Sequence, residues 1–192
     1  MNKSDSELIK ACQKNNDLKA FEILIKRHQD KVRAVVYKFI NNSNELDDIS
    51  QEVFIKAFKS IKSYRSEAKF STWLYRIAIN TCKDSIRSTM KKSEKVVSID
   101  EMIINKVQDP SNIDTEMLID LKAEQKLVFK EIKRLPLKQQ LAIILHDIEF
   151  LSYEEISRIA DCPIGTVKSR LFSARKELKE KLKHHISIIQ TT

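Results

Sequence analysis

One glycine and three prolines in 192 residues leave little with which to build tight hairpins, whose two-residue turns rely on residues that tolerate positive φ. Hairpin-rich β architectures are thereby poorly supported, and long helices are the expected alternative. Cysteine is also sparse. Cys12, Cys82 and Cys162 are an odd number, stand far apart and form no Cys-x-x-Cys pair, so neither a disulfide scaffold nor a cysteine-based zinc site is indicated, and a reducing cytosol fits. No uninterrupted apolar run approaches the ~20 residues a spanning helix needs. Residues 1–6 lack the charged and apolar regions of a signal peptide. A soluble, cytoplasmic chain is expected, with no direct membrane insertion. The four histidines (His28, His146, His184, His185) show no metal-ligand spacing, no Gly-rich loop could cradle a phosphate, and no nucleophile has an evident base beside it. Binding rather than catalysis is expected, with no metal or cofactor; His28, near a buried face, reads as a satisfied core histidine.

Positive charge is plentiful. Lys and Arg number 35 against 27 Asp and Glu, a formal net charge of +8, which favours an anionic partner such as nucleic acid or a membrane surface. Residues 1 to about 88 read as four helices. Ser4 and Glu7 have capping-box spacing before the first, and Asp17 can cap the second. In the second, Leu18, Phe21, Leu24, Ile25, His28, Val32, Val35, Val36 and Phe39 recur at helical intervals. After a polar break at Asn41 to Asn44, a third helix turns Leu46, Ile49, Val53, Ala57 and Ile61 inward. A fourth, beginning after Ser71, buries Leu74, Ile77, Ala78, Thr81 and Cys82.

Between about Met90 and Asp114 the apolar period fails, and Pro110 argues against a continuous helix, so this stretch is expected to be a linker. Residues 98–124 hold seven acids and two bases, a net of −5 inside a basic protein. They form either a solvated spacer or a mimic of nucleic acid lying in a positive channel. Helical period resumes with Leu118, Leu121, Val128, Phe129, Ile132 and Leu135, and Pro136 separates it from a second helix with Leu141, Ile144 and Leu145. Ser152 and Glu155 form another capping box, opening a short helix. After a turn at Asp161 and Cys162, Pro163 is placed at the first position of a last helix burying Val167, Leu171, Ala174, Leu178 and Leu182.

Three surfaces could carry function. Tyr153 to Leu178 is a short helix, a tight turn and a longer helix with a basic exposed side, the layout of a helix-turn-helix that enters a major groove. Residues 163–183 carry seven bases and two acids, a net of +5. Gly165 and Thr166 keep the helix start small enough to approach a phosphate. Lys168, Ser169, Arg170, Ser173, Arg175 and Lys176 are candidates for base edges or phosphates; the alternative is a solvated amphipathic helix. In the fourth helix, Thr72, Arg76, Asn80, Lys83 and Arg87 form a polar stripe. The preceding loop adds Tyr64, Arg65 and Lys69, with Phe70, Trp73 and Tyr75 close by, a combination suited to unstacked bases of a single strand. Phe70 and Trp73 read as core ahead of base platforms, since large aromatics anchor small helical cores. In the third helix Asp47, Asp48, Gln51 and Glu52 cluster with the apolar Ile55, either as ordinary first-turn acids or as a dock for a basic partner.

These residues resemble the extracytoplasmic-function sigma factors of bacterial RNA polymerase, in particular the sigma-E-like (RpoE) group. The resemblance spans nearly the whole chain. It is carried by Asp47-Asp48-Ile49-Ser50-Gln51-Glu52-Val53-Phe54-Ile55-Lys56-Ala57-Phe58 and Phe70-Ser71-Thr72-Trp73-Leu74-Tyr75-Arg76-Ile77-Ala78-Ile79-Asn80. Leu151-Ser152-Tyr153-Glu154-Glu155-Ile156 and Asp161-Cys162-Pro163-Ile164-Gly165-Thr166-Val167-Lys168-Ser169-Arg170 complete it. It implies an all-α chain: a sigma-2 domain at 1–90, a linker at 91–116 and a sigma-4 domain at 117–192. It implies docking of core polymerase through Asp47, Asp48, Gln51, Glu52 and Ile55. Capture of the melted minus-10 element would fall to the loop and the stripe through Asn80, and reading of the minus-35 duplex to the helix after Pro163. It further implies an anti-sigma partner, often membrane-anchored, and a role in an envelope stress response. Ser50 stands where this family often has Val, and Lys168 where Arg is frequent. Two rivals remain: a stand-alone helix-turn-helix regulator binding an operator as a dimer, and a nucleic-acid enzyme for which the sequence offers no candidate residues.

Overall fold

The computed structural model describes residues 3–40, 43–91 and 123–190, and all regular structure among them is helical. The chain divides into two compact units, Met1–Ser88 and Thr89–Thr192. Most of the acidic stretch, the greater part of the expected linker, and the inward positions Leu118 and Leu121 lie outside the described residues.

In the first unit, α1 (Asp5–Asn15) starts from the expected capping box: Ser4 Oγ accepts from Glu7 N–H, and the Glu7 carboxylate accepts from Ser4 N–H. Asp17 caps α2 (Leu18–Phe39), accepting from Ala20 N–H at 3.0 Å. Next come α3 (Ser43–Ser60), a single 3-10 turn (Ile61–Ser63), the loop 64–69 and α4 (Phe70–Lys91). Helix α4 begins at Phe70, slightly ahead of the expected start after Ser71. The apolar stripes converge as their spacing requires: Leu8, Leu24, Val32, Val53, Ala57, Leu74 and Ala78 are each at most 1% exposed. Burial of each large aliphatic side chain among them contributes on the order of 1.5–3 kcal/mol. Ile77, expected inward, is only half-buried.

In the second unit, α5 (Ala123–Lys133) leads through a turn to α6 (Leu137–Ile143), which widens into one π-helical stretch (Ile144–Ile148). There Glu149 N–H donates to Ile144 C=O at 2.9 Å, a five-residue span. Gln140 to Leu145 are all buried, so the coil is enclosed on every side over that stretch, although Lys138 at the start of α6 is exposed. Ser152 and Glu155 form the second capping box and open α7 (Tyr153–Ala160). A turn with Asp161 at φ 50° leads to α8 (Ile164–Gln190). Val167, Leu171, Ala174 and Leu178 seat α8 on its unit; Leu182 is half-buried. Pro163 stands one residue before its expected place. Its C=O accepts from Val167 N–H at 3.2 Å, which makes it the capping residue rather than the first helical one.

The one glycine is not at any left-handed position. Asn16, Ser66, Phe150 and Asp161 occupy those, whereas Gly165 lies in the first turn of α8 with nothing within 4 Å of where a Cβ would stand.

Candidate nucleic-acid and protein interfaces

The loop 64–69 is held from several directions. Gln13 of α1 donates from Nε2 to the carbonyls of Ile61 and Tyr64 at 3.0 and 2.8 Å. Tyr64 Oη donates to Ala68 C=O at 2.7 Å. The Tyr64 ring lies 5.7 Å from Phe70 and 5.3 Å from Trp73, which are themselves stacked at 5.5 Å. Phe70 meets the His28 edge at 5.3 Å. His28 Nε2 donates to Asp5 Oδ2 at 2.7 Å, and Arg27 Nη1 to Asp5 Oδ1 at 2.8 Å. Burial works to raise the Asp5 carboxyl, but the Arg27 and His28 hydrogen bonds outweigh it and leave it below its ordinary value. His28 is thus a satisfied core histidine, as expected. Asp5, Gln13 and Arg27 were not legible as supports of this loop, because each pairs across 22 or more residues of sequence.

From this braced loop Arg65 and Lys69 project into solvent. Along α4, Arg76, Asn80 and Arg87 are exposed and Lys83 half-exposed, so the stripe exists from Arg76 onward. Thr72 does not belong to it, being 2% exposed. It lies in the first turn of α4, where the helix meets its unit's core, so burial there does not follow the period of the exposed stripe. Phe70 is core, at 6% exposed, and Trp73 is half-buried.

On α3, Asp47, Asp48, Gln51, Glu52 and Ile55 are all exposed, with Ile55 at 48%. At 100° per residue they share one side, opposite Leu46, Ile49 and Val53. Arg33 of α2 approaches Asp47 at 3.1 Å, and Lys56 approaches Glu52 at 2.9 Å. Both pairs are solvent-exposed and hold the acids only weakly.

On α8 the buried row of Val167, Leu171, Ala174 and Leu178 fixes the outward face. Gly165, Ser169, Ser173 and Lys176 occupy that face, together with Phe172, which is 72% exposed. Reading for charge passed over Phe172; its signal is an aromatic residue on the polar side of the helix. Thr166 and Arg170 flank one side, where Arg170 Nη1 donates to Cys162 Sγ at 3.3 Å. Lys168 and Arg175 flank the other. Lys168 Nζ stands 5.6 Å from the Tyr153 ring centre. Arg175 is committed elsewhere than expected: it grips Asp147 with two hydrogen bonds, Nη2 to Oδ1 at 2.6 Å and Nε to Oδ2 at 3.2 Å. That grip pushes its pKa further upward. Arg175 therefore ties α8 to the π-helical stretch, and its free donors are fewer than its exposure suggests.

A short helix, a left-handed turn and a second helix with a basic outward face make this unit a helix-turn-helix, and comparison with known proteins extends the likeness along the chain. Residues 24–92 match the family model of sigma-70 region 2, and residues 125–178 that of sigma-70 region 4. The chain is 38% identical over 182 residues to an ECF RNA polymerase sigma-E factor of Haemophilus influenzae, covering 93% of this chain and 95% of that one. The chain belongs to the ECF sigma factors. Against the Escherichia coli K12 sigma-E factor the identity is 37% over 187 residues, covering 93% and 94% of the two chains. Among solved structures, the sigma factor RpoE of Bartonella quintana in complex with the anti-sigma factor NepR is similar at a TM-score of 0.60 and 25% identity. That likeness covers 86% of this chain and 98% of that one. CnrH, solved with the cytosolic domain of CnrY, shares the fold at a TM-score of 0.65 and 18% identity, over 94% and 97% of the two chains. As an ECF sigma factor the protein is a transcription initiation factor that directs RNA polymerase to promoters. No helix among the described residues is long and apolar enough to cross a membrane.

Proposed function

We propose that the two units grip a promoter in two chemically distinct ways. In the first, Tyr64, Arg65, Lys69, Arg76, Asn80, Lys83 and Arg87 hold the melted minus-10 element. The cations meet its phosphates, and the loop braced by Gln13 presents a fixed rim for an unstacked base. In the second, Gly165, Thr166, Lys168, Ser169, Arg170, Ser173 and Lys176 meet the minus-35 duplex, with Phe172 placed for a thymine methyl group. Arg175 acts through Asp147 by positioning α8. The face of Asp47, Asp48, Gln51, Glu52 and Ile55 docks a basic surface of core polymerase.

The observation that carries this reading is the pairing, in one chain, of a groove-sized basic helix with a cation stripe beside a rigid aromatic loop. A stand-alone operator binder needs only the first. The likeness to RpoE, a protein solved with its anti-sigma factor bound, supports control by an anti-sigma partner, membrane-anchored in many such systems, in the cytoplasm and as part of an envelope stress response. Run-off transcription with purified core polymerase is the test: discrete transcripts should appear only when this protein is added. Failure to direct initiation on any template, alongside tight dimeric binding to a duplex operator, would overturn the reading in favour of a stand-alone regulator.

A further inference from the structure

Helix α1 lies wholly outside residues 24–92, the segment that matches sigma-70 region 2, yet one of its side chains reaches the loop beyond α3. The Gln13 amide nitrogen carries two hydrogens, and each meets a carbonyl: Ile61 C=O at 3.0 Å and Tyr64 C=O at 2.8 Å. Ile61 C=O also accepts from Tyr64 N–H at 3.1 Å. One side chain thus ties off the 3-10 turn and fixes the first residue of the loop 64–69 by its backbone. From Tyr64 the constraint passes on, because its ring packs against Phe70 and Trp73 and its hydroxyl donates to Ala68 C=O, closing the loop on itself. Between those two points Ser66 is left-handed, at φ 58°, a conformation that a residue other than glycine keeps where neighbouring structure holds it. Gln13 is itself held in place. Leu8, Ile9 and Cys12 seat α1 in the core, and at its start Asp5 accepts from Arg27 and His28 of α2. A rim fixed in this way cannot reshape itself around a base that fits badly, whereas a loose loop repacks around good and bad alike. Rigidity here bears on discrimination more than on grip.

We propose that Gln13 is a positioning residue that sets the selectivity of base capture at minus-10, which makes α1 part of the promoter-reading apparatus. The proposal rests on the reading that the loop 64–69 receives an unstacked base.

The test uses holoenzyme reconstituted from the full-length protein and purified core polymerase. Open-complex formation is measured on a promoter whose minus-10 bases are replaced one at a time. In Gln13→Leu, similar in length and unable to donate, the ratio between the preferred base and its replacements should fall at least fivefold at the captured position and stay within twofold elsewhere. Gln13→Glu, the same shape with acceptors in place of donors, should lose as much or more, since its carboxylate would face two carbonyls. Affinity for core polymerase should stay within twofold in both. Ile9→Val thins the buried face of the same helix without touching the loop; it should lower the melting temperature and leave the ratio unchanged. An unchanged ratio in Gln13→Leu would overturn the proposal. So would an equal fall in Ile9→Val, which would reduce Gln13 to a contributor to stability, and so would a loss of polymerase affinity, which would place α1 at that interface. Wild-type holoenzyme that opens every replaced promoter equally would instead overturn the reading of the loop on which the proposal stands.

Discussion

Ser50 Oγ is buried with no hydrogen-bond partner among the described residues. A hydroxyl left in that condition costs on the order of 1–3 kcal/mol, while a methyl of the same shape costs nothing. Ser50→Ala, which removes the hydroxyl without adding bulk, should therefore stabilise the first unit by about 1 kcal/mol, read as a raised urea midpoint with an unchanged slope. Asp5 behaves differently because it is satisfied. Its carboxyl lies below the ordinary 3.8, so it contributes stability that is fully present above that value and lost as pH falls through the lowered one. Asp5→Asn should destabilise the protein at neutral pH and flatten the acid limb of its stability curve. Denaturant titrations of both proteins between neutral pH and pH 3 would show the two curves converging.

At the scale of elements, the first turn of α8 trades helix stability for clearance. Glycine within a helix costs roughly 1 kcal/mol relative to alanine, and since a Cβ on Gly165 would touch nothing in the protein, internal packing does not require it. Gly165→Ala should stabilise the fold by up to about 1 kcal/mol yet weaken minus-35 duplex binding, measured by thermal unfolding and fluorescence anisotropy. Equal or better duplex binding would remove the close approach from the account. Most of this architecture was legible beforehand. The caps at Ser4, Asp17 and Ser152 and the buried rows of α3, of α8 and of α2 from Phe21 onward follow from local spacing, which a linear reading captures; Leu18, expected in the α2 row, stands at the first position of its helix and is 67% exposed. The braces of the loop 64–69 were not legible, since Gln13, Asp5 and Arg27 act across the bundle. Nor was the burial of Thr72, which shares its helical face with the exposed Arg76. The pairing of Arg175 with Asp147 escaped for a similar reason: a base on a basic face reads as a ligand contact until a carboxylate is seen beside it.

For the molecule as a whole, assigning unpaired bases to one unit and duplex to the other predicts independence. Arg170→Ala should lower promoter use in a manner that depends on the minus-35 sequence. Asn80→Ala should slow opening whatever lies at minus-35. The double variant should match the sum of the two free-energy losses within roughly 0.5 kcal/mol, as for well-separated sites; open-complex formation on a promoter series would measure it. Glu52→Lys should lower retention on core polymerase while leaving duplex binding untouched.

The π-helical stretch sets a condition on how this chain can tolerate deletions. A π turn holds one residue more than an α turn, so losing one position between Ile144 and Ile148 would let the coil re-zip as ordinary α-helix. The backbone would be whole and everything downstream would keep nearly the same phase, because the wider turn already absorbs one extra residue, whereas the same loss within α6 would rotate it by about 100°. A product shortened within the π-helical stretch would therefore look intact by circular dichroism and keep the aim of its last helix, while one shortened within α6 would look equally intact and aim that helix askew.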